Sequence, residues 1–235
     1  MSLRILLATT GRILRQLRHD RRTVGLLIIV PNVLLTLLYF MFRDAEASFD
    51  RIALVMLGVF PFTIMFLVTS IAMLRERTTG TLERLLTTPL NKLDLLFGYG
   101  IAFGVAAAVQ ATVAAAVSYW LLDLDTAGPP WLVVLVAVSN AVLGVAIGLF
   151  CSAFARTEFQ AVQFMPIVVL PQALLCGLFV AREQMVGWLQ GISEVLPLTY
   201  AVEALGEIGA HTEATGTMWW DLTVVLGAVV VALVL

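Results

Sequence analysis

The chain has 235 residues, of which 60% are hydrophobic and 13% charged, with a formal net charge of −2. A water-soluble domain carries roughly half apolar and a quarter charged residues, so this composition excludes one and defines a polytopic membrane protein. Net charge says little about partners here, because what matters in such a chain is where the charges sit.

The first 23 residues form a basic segment. Leu3, Leu6, Leu7, Ile13, Leu14 and Leu17 recur at helical spacing, while Arg4, Arg15, Arg18 and Arg22 populate another face. Residues 1–23 are therefore expected as an amphipathic helix lying in the cytoplasmic membrane interface. Its arginines Arg12, Arg15, Arg18 and Arg22 either meet lipid phosphates as an anchor or face a soluble partner. Spans of about 20 apolar residues are then expected at 24–42, 52–74, 95–122, 131–154, 161–180 and 218–235. The last is short and stops in mid-run without a basic flank, which reads as a chain that continues. No cleavable signal peptide is expected, since the first apolar run follows the long basic segment and is itself long enough to cross the bilayer.

Orientation follows from the basic residues near span ends. Eleven of the fourteen cations fall in the N-terminal segment, the second connection (Arg75, Arg77, Arg84, Lys92) and the fourth (Arg156). Arg43, Arg51 and Arg182 share the other side with most of the acids, including Asp50, Asp123, Asp125, Glu194, Glu203, Glu207 and Asp221. Both termini and the connection 75–94 are thus expected in the cytoplasm, in a multi-pass protein of the plasma membrane.

That connection is the most informative stretch. After a break at Gly80, Leu82, Leu85 and Leu86 recur at helical spacing with Glu83 and Arg84 facing away, and Pro89 ends the run. It reads as a short amphipathic docking helix between spans 2 and 3. No phosphate-binding G-x-x-x-x-G-K-[ST] loop is present, and the two histidines, His19 and His211, fall on opposite sides of the membrane. Neither a catalytic site nor a metal cluster is expected, and nothing points to nucleic acid. The centres of the first five spans lack ionisable residues, which argues against an ion-coupled transporter. Cys151 and Cys176 sit toward opposite leaflets, too far apart to bridge.

The polar and aromatic residues at membrane depth offer a candidate substrate pathway: Asn32, Tyr39, Phe62, Phe66, Asn140, Gln163, Phe164, Gln172 and Phe179. Packing between helices or contact with lipid is the alternative for each. Residues 181–210 are neither polar enough for a free loop nor apolar enough to span. Met185, Trp188, Pro197 and Tyr200 mark them as a candidate outer gate, with a helix lying on the surface as the alternative.

Two stretches carry a resemblance. Arg75-Glu76-Arg77-x-x-Gly80-Thr81-Leu82-Glu83-x-Leu85-Leu86-x-Thr88-Pro89 resembles the signature of the ABC type-2 permeases, the membrane subunits of ATP-binding-cassette exporters of drugs, antibiotics or lipids. Gly177-Leu-Phe179, Trp188-Leu-Gln-Gly-Ile-Ser193 and Leu196-Pro-Leu-Thr-Tyr-Ala-Val-Glu-Ala-Leu205 resemble its second conserved region. The chain departs from the pattern at Ala181 and Val186, where relatives often carry proline, and at Tyr99, where lysine is common.

The resemblance implies an all-α fold with six transmembrane helices, an N-terminal interface helix, a cytoplasmic coupling helix and re-entrant outer helices within 181–210. It implies that Leu82, Leu85 and Leu86 seat in an ATPase subunit with Arg75, Glu76, Arg77, Glu83 and Arg84 around them, and that Glu76 bridges to the N-terminal helix. Partners would be two nucleotide-binding subunits holding ATP and Mg, a second permease copy or a paralogue, the bilayer, and a hydrophobic small molecule or lipid. The chain itself would carry no cofactor. Sensing or immunity signalling through a cassette partner, or a scaffold role without net transport, is the alternative function.

Overall fold

A computed structural model describes residues 3–79 and 92–234, and within them the protein is built from nine α-helices and one 3₁₀ turn, without a strand. The helices are α1 (Leu3–His19), α2 (Arg21–Met41), α3 (Glu46–Thr78), α4 (Lys92–Leu121), α5 (Pro130–Ser152), α6 (Glu158–Leu175), α7 (Gly187–Val195), α8 (Pro197–Ala210) and α9 (Gly216–Val234), with the 3₁₀ turn at Arg182–Gln184. Six stretches are long and apolar enough to cross a membrane: Arg21–Met41, Ala47–Thr78, Asp94–Leu121, Pro130–Ser152, Glu158–Leu175 and Gly216–Val234.

The centre of the bundle is the pairing of α3 with α5. These helices run parallel, with Gly58, Phe62 and Phe66 meeting Asn140, Gly144 and Gly148 in rising order. Each contact lies four residues beyond the last, one helical turn, so a single face of each helix forms the whole seam. A Cβ at Gly148 would stand 2.6 Å from the Phe66 carbonyl oxygen, and one at Gly144 would meet the Phe62 carbonyl more closely still. Lipid offers no hydrophobic force to press helices together, so close backbone approach at small residues is what holds such a pair. Asn140 adds a hydrogen bond, its Nδ2 donating to the Gly58 carbonyl at 2.7 Å.

The other helices wrap this pair. On α2, Leu27, Pro31 and Leu35 are buried at four-residue intervals, while Leu26, Ile29, Val33, Leu37 and Phe40 point outward as a bilayer-facing surface. On α9 the buried stripe is Met218, Asp221, Leu222, Val225 and Val229. Asp221, grouped by sequence with the outer connection, therefore lies inside the last span, where the packing of α9 against α8 and α5 covers it. α8 lies antiparallel to the first half of α3: Val202 and Leu205 sit beside Gly58, and Gly209 sits beside Leu54.

α6 ends at Leu175, five residues before the sequence reading placed the end of that span. The reason is local. Cys176 caps the helix and Gly177 follows at φ +92°, the left-handed conformation that closes helices and that only glycine adopts without strain. Phe179 and Val180 fall beyond this turn and are exposed. α3 in turn is longer than the apolar run 52–74, because its polar ends continue the helix past both edges of that run.

Candidate functional site

Polar contacts gather the helix ends into two sets. At one end lie α1, the C-termini of α3 and α5, and the N-termini of α4 and α6, the end that holds most of the cations. Arg75 clamps Glu158 with two hydrogen bonds, Nε to Oε1 at 2.7 Å and Nη2 to Oε2 at 3.0 Å, tying α3 to α6. Arg77 Nη1 donates to the Ser152 carbonyl at 2.8 Å, tying α3 to the last turn of α5, where a cation also meets the negative end of the helix dipole. Arg12 Nη1 lies 3.5 Å from Glu76 Oε1, and Arg12 Nη2 donates to the Tyr99 hydroxyl at 3.1 Å, tying α1 to both α3 and α4. The three consecutive residues Arg75, Glu76 and Arg77 thus grip three different helices immediately before residue 80.

α1 seats on α4 through a close approach. Thr10 Oγ1 donates to the Leu6 carbonyl at 2.9 Å and reaches the Gly98 carbonyl at 3.4 Å. A Cβ at Gly98 would stand 2.8 Å from Thr9 Cγ2. Of the apolar face read from the sequence, Leu6 and Ile13 are buried against the bundle and Leu14 and Leu17 are half-buried, while Leu7 is exposed. Of the four arginines singled out on this helix and its exit, Arg12 pairs with Glu76, while Arg15 donates to its own helix at the Gly11 carbonyl and Arg18 and Arg22 are exposed. Asp20 caps α2 by accepting from the backbone N–H groups of Arg22 and Thr23. The Thr23 hydroxyl, donating to the same carboxylate at 2.6 Å, holds the Asp20 pKa below its ordinary value. Between α1, α2, α3 and α4 a cavity of about 430 Å³ opens, with Glu76 and Asp20 among its polar lining and Val68, Ile71 and Phe103 among its apolar lining.

At the opposite end the acids dominate. Arg182 Nη1 donates to both carboxylate oxygens of Glu203, at 2.9 and 3.1 Å, its Nη2 lies 3.3 Å from Glu194, and its guanidinium stands 5.9 Å from the centre of the Tyr200 ring. Hydrogen bonding to Glu203 pushes the Arg182 pKa above its ordinary value. The Tyr200 hydroxyl donates to the Glu194 carbonyl at 2.7 Å. The loop before α5 docks on the end of α8, with Gly128 N donating to the Ile208 carbonyl at 2.9 Å, and Asp50 accepting from Asp125 N at 3.1 Å. Around this cluster lies a cavity of about 810 Å³, lined by Asp50, Arg51, Asp125, Arg182 and Glu203 above apolar Leu54 and Val202.

The residues read from the sequence as a pathway do not come together. Phe62, Phe66 and Asn140 have no exposed surface and are spent on the α3–α5 seam. Gln172 is buried, donating to the Val168 carbonyl and receiving the Leu198 N–H at 3.4 Å. Asn32 donates within its own helix to the Ile28 carbonyl. Tyr39 packs edge-on against Phe49, Phe164 packs on the core, and Gln163 and Phe179 face outward. None of the nine lines the cavities at the two ends.

Among the outer-gate residues, Tyr200 joins the Arg182 cluster, Trp188 is exposed, and Met185 and Pro197 are half-buried. Gly80, Thr81, Leu82, Glu83, Leu85, Leu86 and Pro89 lie outside the described residues. Sequence reading missed Glu158, Ser152, Tyr99 as the Arg12 partner, and the Arg182–Glu194–Glu203 cluster. It also missed the Gly144-x-x-x-Gly148 spacing, which is itself a legible signal for close helix pairing.

A six-span helical bundle with an amphipathic helix braced against one polar end defines a multi-pass membrane protein. Residues 4–208 match the ABC-2 type transporter family, and the chain belongs to it. It is similar to the probable multidrug ABC transporter permease YbhR of Escherichia coli (strain K12), 28% identical over 162 residues that make up 68% of this chain and 44% of that protein. ABC transporter G family member 20 of Dictyostelium discoideum is 26% identical over 181 residues, 77% of this chain and 25% of that protein. The linearmycin resistance permease protein LnrN of Bacillus subtilis (strain 168) is 28% identical over 138 residues, 59% of this chain and 36% of that protein. The chain thus matches less than half the length of each of these relatives.

Proposed function

We infer that this chain is a permease subunit of an ATP-binding-cassette exporter, driven by ATP and Mg bound in two separate nucleotide-binding subunits. The observation that carries the reading is the triple grip of Arg75, Glu76 and Arg77 on α6, α1 and α5. An ATPase subunit seated on the segment after residue 79 would push on a point that is fastened to three helices at once. Closure below would then become a concerted movement of the bundle rather than the bending of one loop. On this reading the basic end and both termini are cytoplasmic, the membrane is the plasma membrane, and α1 is the interface helix. α7 and α8 form the re-entrant pair, a role supported by the antiparallel seating of α8 beside the outer half of α3.

The complex would contain a second permease, either an identical copy or a paralogue. The names of the bacterial relatives, a multidrug permease and a linearmycin resistance permease, favour outward movement of a hydrophobic or amphipathic compound or lipid.

The test separates coupling from folding. The Arg75–Glu158 pair is exposed, so breaking it with Arg75→Ala should change stability by less than about 1 kcal/mol. The same change should abolish substrate stimulation of ATPase activity in the reconstituted complex, as should Leu82→Asp with Glu83→Ala. Full stimulation in both variants would sink the coupling assignment. ATP-dependent uptake into inverted vesicles distinguishes transport from signalling without net movement.

A further inference from the structure

Glu76 is 7% exposed, and only one of its carboxylate oxygens is engaged. Oε1 stands 3.5 Å from Arg12, a long ion pair, while Oε2 has no hydrogen-bond partner among the described residues. A buried carboxylate oxygen left unsatisfied is costly, more so when the group is charged. Glu76 also lines the 430 Å³ cavity between α1, α2, α3 and α4, and a second carboxylate, Asp20, lines the same space. The cation on that lining, Arg75, is already clamped by Glu158. The rest of the lining mixes the polar side chains of Gln16, Thr23, Thr79 and Tyr99, the last of them beside Glu76, with an apolar patch that includes Leu17, Val68, Ile71 and Phe103. A space with an unpartnered carboxylate oxygen at one place and an apolar patch of Val68, Ile71 and Phe103 at another is complementary to an amphiphile bearing a protonated amine.

We propose that this cavity is a binding site for the ammonium head of a membrane amphiphile, with Glu76 as its charged acceptor, Asp20 as a second acceptor, and the alkyl chain against Val68, Ile71 and Phe103. The ammonium supplies donors for the oxygen that Arg12 leaves free, and the chain replaces water on the apolar patch. The source is either the amine headgroup of a lipid or a free cationic amphiphile. The assignment concerns this chain alone and does not depend on coupling to an ATPase, so the failure of either reading leaves the other standing.

The experiment uses the purified full chain in phosphatidylcholine nanodiscs without an ATPase subunit. Binding of a fluorescent dodecylammonium probe is titrated beside the matching dodecyl alcohol probe. The wild type should prefer the ammonium, and Glu76→Gln should weaken it by about ten-fold or more, the usual effect of losing a hydrogen bond to a charged group. The alcohol should bind both proteins alike. Arg12→Gln removes the cation that competes for Glu76 and should tighten ammonium binding. Ala72→Phe, which fills the cavity without touching a charge, should abolish it.

Loss of affinity in Arg12→Gln equal to that in Glu76→Gln would mean that the pair only holds α1 in place, and would overturn the proposal. Equal binding of ammonium and alcohol by the wild type would do the same. Repeating the titration in phosphatidylethanolamine nanodiscs identifies the source: displacement of the probe marks the lipid headgroup as the occupant, and undiminished binding marks a free amphiphile.

Discussion

Replacing Gly148 with alanine adds one methyl group at the most crowded part of the bundle. The new Cβ would stand 2.6 Å from the Phe66 carbonyl oxygen and 3.2 Å from Phe66 Cα. Ordinary van der Waals contact begins near 3.4 Å, so α3 and α5 must part by about 0.8 Å to admit it. Parting them stretches the neighbouring contacts along the same face, including the 2.7 Å bond from Asn140 to Gly58. Overpacking of this kind costs about 1–3 kcal/mol. Alanine also gains as much as about 1 kcal/mol over glycine through helix propensity, which blurs the reading of one variant alone. Gly100→Ala is the internal control, since a Cβ there meets nothing within 4 Å and reports the propensity gain by itself. The stability of Gly148→Ala should therefore fall about 1–3 kcal/mol below that of Gly100→Ala, with Gly148→Leu lower still. Reversible unfolding in mixed micelles, followed by tryptophan fluorescence, measures the gap. If the two alanine variants unfold together, the α3–α5 seam is not the tight pairing described above.

Two further outcomes rest on polar contacts. Asp20→Ala should destabilise the protein by about 0.5–2 kcal/mol by uncapping α2, while Asp20→Asn should retain most of the cap. Because the folded-state pKa of Asp20 is lowered from 3.8, its charge-dependent contribution is present in full above that value. It is lost as the pH falls further through the lowered folded-state value. The Asp20→Asn difference should therefore narrow as the pH falls below 3.8, which thermal melts at pH 7 and pH 3 will show. At the other end, Arg182→Gln removes the partner of Glu203 and Glu194 and should cost about 1–2 kcal/mol, the value for charged hydrogen bonds reduced for the solvent that reaches the cluster. Glu194→Gln alone, at a 3.3 Å contact with a half-exposed carboxylate, should cost less in the same melts.

Sequence alone determined the elements and the class of this protein. Hydrophobic runs of bilayer length dictate six helices, because no unpaired backbone polar group survives in hydrocarbon, and the motifs at 75–89 and 177–205 pointed to the family that the comparison then showed. The amphipathic N-terminal helix was legible because charge and periodicity are written locally, whereas the Glu76 bridge to it came only from the family resemblance. Which face of a membrane helix meets protein and which meets lipid is not written there, since both are apolar and composition cannot tell them apart. So Phe62, Phe66 and Asn140, read as lining a route, turn out to be the buried seam of α3 and α5. Only the tertiary structure decided that pairing, because it depends on how near two backbones come at Gly144 and Gly148. The ion pairs of Arg75 with Glu158 and of Arg182 with Glu203 belong to the same class of fact, joining residues 83 and 21 positions apart that no local pattern connects.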